Sequence, residues 1–180
     1  MSWDRAIYFT LKWEGGYVDD PDDSGGKTNM GITESVLKAA YSAKIVPHCN
    51  IRALTKAEAI AIYQARYWNP YEWARYGAPI DMIQFDVTVN SGPGNMARIT
   101  QRACVSLGQN ITIDGKWGPQ TRAALYSLAW SKGAPLAKML LVKRLNFFDA
   151  IVASRPSQKK FLKGWRNRVY ALAKAAGVRL

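Results

Sequence analysis

The 180-residue chain is 48% hydrophobic, with seven Trp, nine Tyr and five Phe, which supplies an ordinary core and excludes global disorder. Its 25 Lys/Arg stand against 13 Asp/Glu, a formal net charge of +12, so an anionic partner is expected: nucleic acid, a membrane surface or an acidic polymer. No apolar run approaches the ~18 residues of a membrane span, two cysteines are too few for a disulfide framework, and the single histidine leaves no zinc cluster and no Ser-His-Asp set.

The chain opens Met1-Ser2-Trp3-Asp4-Arg5, without the basic start and apolar run of a secretory signal, so synthesis in a cytoplasm is expected. Residues 3–14 read as a helix with Ile7, Leu11 and Glu14 on one face, stopped by Gly15-Gly16. Residues 17–31 hold too many Asp, Pro and Gly for a helix and read as a loop with a short β-hairpin. Thr33 caps a helix over 34–46. Thr55-Lys56-Ala57-Glu58 is a capping box, and the periodicity after it predicts a helix to residue 76. Pro79 opens a further helix to residue 90, which Ser91-Gly92-Pro93-Gly94 breaks. Helices then follow over 95–107, 119–131, 134–153 and 157–176, with a short extended piece and turn at Ile111-Thr112-Ile113-Asp114-Gly115. The expected fold is mainly α-helical.

Charge is unevenly distributed. Residues 1–131 carry 13 basic and 12 acidic side chains, whereas residues 132–180 carry 12 basic and one acidic, Asp149. The acids gather instead at Asp19, Asp20, Asp22 and Asp23, just after Glu14.

Glu14 is the candidate for chemistry. It sits at the negative end of a helix dipole, between Trp13 and Tyr17 and before four aspartates. Apolar neighbours and nearby negative charge both favour a protonated carboxyl, which a general acid needs near neutral pH. Gly15-Gly16 leave room beside it for a bulky substrate. The other reading is an ordinary exposed glutamate. Asp19-Asp20-Pro21-Asp22-Asp23 lacks the alternating ligands and terminal Glu of a calcium loop, so no metal is expected. Asp23 or Asp22 can instead be the second carboxylate that glycoside hydrolysis requires. His48 and Cys49 are adjacent, and adjacent side chains rarely face each other, which argues against a Cys-His dyad; both cysteines are expected to be buried thiols.

The stretch Trp13-Glu14-Gly15-Gly16-Tyr17, followed by Asp20-Pro21-Asp22-Asp23-Ser24-Gly25-Gly26-Lys27-Thr28-Asn29-Met30-Gly31-Ile32-Thr33, resembles the N-terminal signature of glycoside hydrolase family 108. These are lysozyme-like N-acetylmuramidases, many from bacteriophages and prophages. Leu107-Gly108 and Asp114-Gly115-Lys116-Trp117-Gly118-Pro119-Gln120-Thr121-Arg122-Ala123-Ala124-Leu125 resemble the signature of predicted peptidoglycan-binding regions, which form the C-terminal half in this family. Phe85 to Gly92 is similar to the joining segment. The resemblance implies a lysozyme-like helical bundle with a small hairpin near the active site. It divides the chain into a catalytic region, residues 1–92, and a helical region, 93–180, expected to share one compact core.

The resemblance also implies roles. Glu14 matches the family's catalytic acid. Phage-type lysozymes space their Glu, Asp or Cys, and Thr by eight and five residues; here eight residues separate Glu14 from Asp23 and four separate Asp23 from Thr28. Asp23 and Thr28 are the counterparts, with Ser24 or Asn29 as alternatives for holding water. Tyr17 and Asn90 are candidates for contacting sugar, and Trp117 for the same or for core packing. Asp114-Gly115 and Pro119 can equally be a structural turn and helix start. No cofactor is implied. The expected partner is bacterial peptidoglycan, the expected state a monomer, and the expected route that of a phage lysin, released from the host cytoplasm through a separate pore-forming protein.

The competing reading is a non-enzymatic binder of an anionic polymer. It rests on residues 159–168, where Lys159, Lys160, Lys163, Arg166 and Arg168 interleave with Phe161 and Trp165. No DNA- or RNA-binding signature accompanies them, so no specific nucleic-acid partner is expected. A bland packed helix would instead bury Phe161, Trp165 and Leu172 and turn its cations outward. Between the two lies a muramidase whose basic residues 132–180 are attracted to an anionic envelope.

Overall fold

The computed structural model describes residues 2–17 and 27–180. The loop aspartates and Ser24-Gly25-Gly26 lie outside the described residues. Eight α-helices and one two-stranded sheet are present among those described, the mainly α, lysozyme-like arrangement expected. The residues pack as two compact units, Ile7–Glu72 and residues 2–6 together with Trp73–Leu180.

In the unit Ile7–Glu72, helix α1 (Ser2–Trp13) contributes its later turns. Ile7, Phe9 and Thr10 are buried, and Lys12 in the last turn complements the negative helix end. Strands β1 (Thr28–Asn29) and β2 (Ile32–Thr33) form an antiparallel hairpin with Thr28 opposite Thr33 and Asn29 opposite Ile32. Alternation turns Asn29 and Ile32 inward. The two connecting residues, Met30 (φ 48°) and Gly31 (φ 74°), both take positive φ, as a type I′ turn requires.

Thr33 caps α2 (Glu34–Ser42), its hydroxyl accepting from the Val36 N–H at 3.3 Å. The helix ends four residues earlier than expected. Lys44 takes φ 59°, and the bonds Ile45 N–H to Ala40 O (3.0 Å) and Lys44 N–H to Tyr41 O (2.9 Å) close a Schellman motif. The Thr55–Glu58 capping box forms as expected: the Glu58 N–H donates to the Thr55 hydroxyl (3.3 Å) and the Thr55 N–H to the Glu58 carboxylate (2.8 Å). Helix α3 (Lys56–Tyr63) is far shorter than expected. It passes into a π-helical turn, Gln64–Trp68, and a 3₁₀ turn, Asn69–Tyr71. Pro70 has no N–H with which to continue an α-helical ladder, and Glu72 reverses the chain at φ 53°.

In the other unit, α4 (Ile80–Ser91) is buried throughout Ile80–Thr88, the mark of a central helix. Around it are α5 (Pro93–Ser106), α6 (Pro119–Ser131), α7 (Gly133–Ser154) and α8 (Lys159–Ala175). Gly108 (φ 95°) and Gly177 (φ 70°) end α5 and α8 with the same pair of bonds seen after α2. Leu172 is buried as expected, but Phe161 is 45% exposed, and Trp165 only half-buried, stacked between Phe148 and Phe161. The cations do not all face outward either. Arg144 on α7 and Arg168 on α8 are buried and converge on Asp86 of α4, each at 2.7 Å.

Burial opposes ionisation of Asp86, but the charges of Arg144 and Arg168 and their hydrogen bonds outweigh it and hold its carboxyl below the usual value. A group whose folded value is depressed stabilises the fold above its unfolded value, ~3.9 for Asp, and that contribution is lost as pH falls through the folded value. Asp86→Asn should therefore cost about 3–5 kcal/mol at neutral pH by leaving two guanidiniums buried without their counter-charge. Urea unfolding should show this loss at pH 7 and a smaller difference from wild type below pH ~3.

Candidate active site

Glu14 follows α1 directly, half-buried, with its N–H still bonded to the Thr10 carbonyl at 3.1 Å. The hairpin turn closes over its carboxyl. A Cβ placed on Gly31 would lie 2.5 Å from Glu14 Oε2, 2.8 Å from Glu14 Cδ and 2.5 Å from the Tyr63 hydroxyl oxygen. Only a bare Cα fits there, and φ 74° independently favours glycine. Tyr63, the last residue of α3, is 1% exposed and donates its hydroxyl to the Met30 carbonyl at 2.9 Å. Gly15 and Gly16 leave open space: among the described residues, nothing lies within 4 Å of where their Cβ atoms would project. Among the described residues, the carboxyl is thus backed by Gly31 and followed by two exposed glycines.

The remaining sequence candidates are placed as follows. Thr28 lies on β1, half-buried, in the hairpin whose turn covers Glu14. Asn29, the alternative for holding water, is buried and commits its amide N–H to the Ile51 carbonyl at 3.0 Å. Asp23, with Asp22 and Ser24, lies outside the described residues. Tyr17 is half-buried and carries the Arg52 guanidinium 4.7 Å from its ring centroid. These belong to the unit Ile7–Glu72.

Asn90 and Trp117 belong to the other unit. Asn90 is exposed at the end of α4, its side-chain carbonyl accepting from Arg144 Nη2 at 2.9 Å. Trp117 packs edge-on against Trp73, with ring centroids 5.1 Å apart, and against Tyr76 at 6.4 Å. The surrounding signature residues are tied to buried Gln101. Its Nε2 donates to Asp114 Oδ1 (2.7 Å), the Lys116 carbonyl (3.1 Å) and the Thr121 hydroxyl (3.0 Å), and its Oε1 accepts from the Gly115 N–H (2.9 Å). The Lys116 N–H closes an Asx turn onto Asp114 at 2.8 Å. Gly115, at φ 78°, is packed so closely that a Cβ would meet the Arg98 guanidinium at 2.5 Å. Asp114, Gly115 and Thr121 therefore build the turn that opens α6.

His48 and Cys49 do not form a dyad. His48 Nε2 meets Glu58 Oε1 at 3.2 Å, and Nδ1 accepts from the Asn50 N–H at 3.3 Å. Cys49 is exposed, contrary to the expected burial, whereas Cys104 is buried, and desolvation pushes its thiol up to about 12, out of reactive range. Among the described residues, no group of three His, Cys, Asp or Glu is disposed to hold a metal, and no helix is long and apolar enough to cross a membrane.

Sequence reasoning missed Gly31 and Tyr63 as parts of the site. The Gly at the second position of a two-residue connection was a hairpin signal; the hydroxyl of Tyr63, 33 positions from its acceptor, had no local signature.

The model of glycosyl hydrolase 108 matches residues 7–92, and that of a predicted peptidoglycan domain matches residues 95–170. The structure is similar to that of SagA from Brucella abortus, with a TM-score of 0.74 and 31% sequence identity over 97% of this chain and 92% of that one. The chain belongs to the glycosyl hydrolase 108 family. No curated protein matches it. As a member of that family with a peptidoglycan domain, it is a glycoside hydrolase acting on peptidoglycan, and Glu14, Thr28 and Gly31 fall within the hydrolase match.

In this hydrolase, Gly31→Ala must shift the turn, the Tyr63 hydroxyl or the Glu14 carboxyl. Misplacing a reacting group by ~1 Å can cost about 100-fold in rate. The variant should keep its far-UV spectrum and clear suspended cell walls about 100-fold more slowly, read as the initial fall in turbidity.

Proposed function

We propose that the protein is an N-acetylmuramidase, a lysozyme that cleaves the β-1,4 bond between N-acetylmuramic acid and N-acetylglucosamine. The observation that carries this reading is the Glu14 carboxyl, backed by Gly31 and followed by two exposed glycines, Gly15 and Gly16, within the segment that matches the hydrolase family. Glu14 protonates the bridging oxygen as the bond to the anomeric carbon breaks, which relieves charge on the leaving sugar. Asp23, with Thr28, orients the water that delivers hydroxide to that carbon or stabilises its positive charge. Tyr17 contacts sugar. Carboxyls 6.5–9.5 Å apart would invert the anomeric centre and carboxyls ~5 Å apart would retain it.

The proposed setting is that of a phage or prophage lysin. It acts as a monomer on the cell wall after release from the host cytoplasm. The basic C-terminal helix favours a further attraction to an anionic envelope: Lys159, Lys160 and Lys163 are exposed on α8, beside Phe161 at 45% exposure. Arg166 on the same helix is paired with Asp149 at 2.6 Å.

Glu14→Gln keeps the shape and removes the transferable proton. It should lower the lysis rate by about 10²–10⁴; near-normal clearing by the purified variant would sink the assignment. Mass spectrometry of the digested wall should find N-acetylmuramic acid at the reducing end, whereas reducing-end N-acetylglucosamine, anhydro sugars or cut peptides would each name another enzyme. Lysis should also weaken as salt rises above physiological strength, where the screening length falls below ~8 Å. A rate that stays flat with salt, or that survives neutralising Lys159, Lys160 and Lys163 together, counts against envelope attraction.

A further inference from the structure

We propose that Tyr63 is a positioning residue for the reaction, acting on Glu14 through the Met30–Gly31 turn; this rests on Glu14 being the acid. Three observations lie in sequence along one path. The Tyr63 hydroxyl donates to the Met30 carbonyl at 2.9 Å. Met30 takes φ 48°, a left-handed conformation that the two-residue turn requires and that is uncommon for a side-chain-bearing residue. The next residue, Gly31, lies against both groups, its missing Cβ position 2.5 Å from the Tyr63 hydroxyl oxygen and 2.5 Å from Glu14 Oε2.

The hydroxyl is well placed for this task. Tyr63 ends α3, where the backbone widens into the π-helical turn Gln64–Trp68, a feature that recurs near functional sites. Its ring is buried and packs on Tyr67 with centroids 5.8 Å apart, so the oxygen is presented from a fixed support rather than a mobile side chain. Without that hydrogen bond, Met30 has reason to relax toward negative φ. The turn would then move off the carboxyl that must meet the glycosidic oxygen.

The test uses Tyr63→Phe, which keeps the ring and removes the hydroxyl, with soluble peptidoglycan fragments as substrate. The expected result is a fall in kcat of at least tenfold with KM within twofold and an unchanged far-UV spectrum. A second variant separates positioning from general stability. Adding Met30→Gly to Tyr63→Phe lets the turn keep positive φ without the hydrogen bond, and should restore kcat at least threefold relative to Tyr63→Phe alone. A single variant with wild-type kcat overturns the proposal, as does a folded, slowed variant that Met30→Gly fails to improve. If Tyr63→Phe does not fold, the double variant decides alone: folded with a kcat near wild type supports the proposal, and unfolded overturns it. Glu14→Gln is run beside them. Were it active, the assignment of the acid would fail; were it inactive while Tyr63→Phe kept full kcat, only the role of Tyr63 would.

Discussion

The buried carboxylate of Asp86 ties together three helices of the larger unit. Asp86 lies on a helix buried from Ile80 to Thr88, where an unpaired charge would be costly. It is tolerated because Arg144 from α7 and Arg168 from α8 reach it directly. Three helices are thereby tied together at one carboxylate. Fixing register is the best attested use of such buried charge. Arg144 extends the arrangement to Asn90, so a residue considered for sugar contact is oriented by the same network.

This pairing alters the meaning of the charge distribution. Residues 132–180 hold 12 basic side chains and one acid, yet two of the 12 are internal and committed to Asp86. Their role is structural: Asp86 offsets one of the two charges, and both side chains are buried away from surface contact. What remains for attraction to an anionic surface is the exposed set, including Lys159, Lys160 and Lys163 beside Phe161.

Much of this was legible in the sequence where the cause was local. Thr33 and the Thr55–Glu58 box marked helix starts because a side-chain oxygen and an N–H three residues away suffice to make a cap. Pro119 opened α6 for the same kind of reason, and the Trp13-Glu14-Gly15-Gly16 segment made Glu14 the candidate for chemistry through its resemblance to the hydrolase signature. The misreadings fall where remote or unmarked geometry decides. The stop after α2 uses Lys44 in place of the usual glycine. Continuing the helix through Pro70 gave apolar periodicity more weight than a missing donor. An outward Arg168 followed from helical patterning, because nothing nearby in sequence reveals the acid it pairs with 82 positions away. The peptidoglycan signature at Asp114-Gly115 could be read as ligand-binding or as a turn, and Gln101, the side chain that ties it together, is 13 positions from the aspartate.

Gly31 illustrates how little latitude such a site has for drift. Two unrelated requirements meet there, a left-handed backbone and a place too narrow for any side chain. Relaxing one leaves the other in force. A larger residue would force a shift of the turn, the Glu14 carboxyl or the Tyr63 hydroxyl. In a library selected only for folding, that position should already be narrow; selection for catalysis would narrow it to the same residue. Durability and activity, which often pull sequences apart, therefore make the same demand at the point where the hairpin meets Glu14.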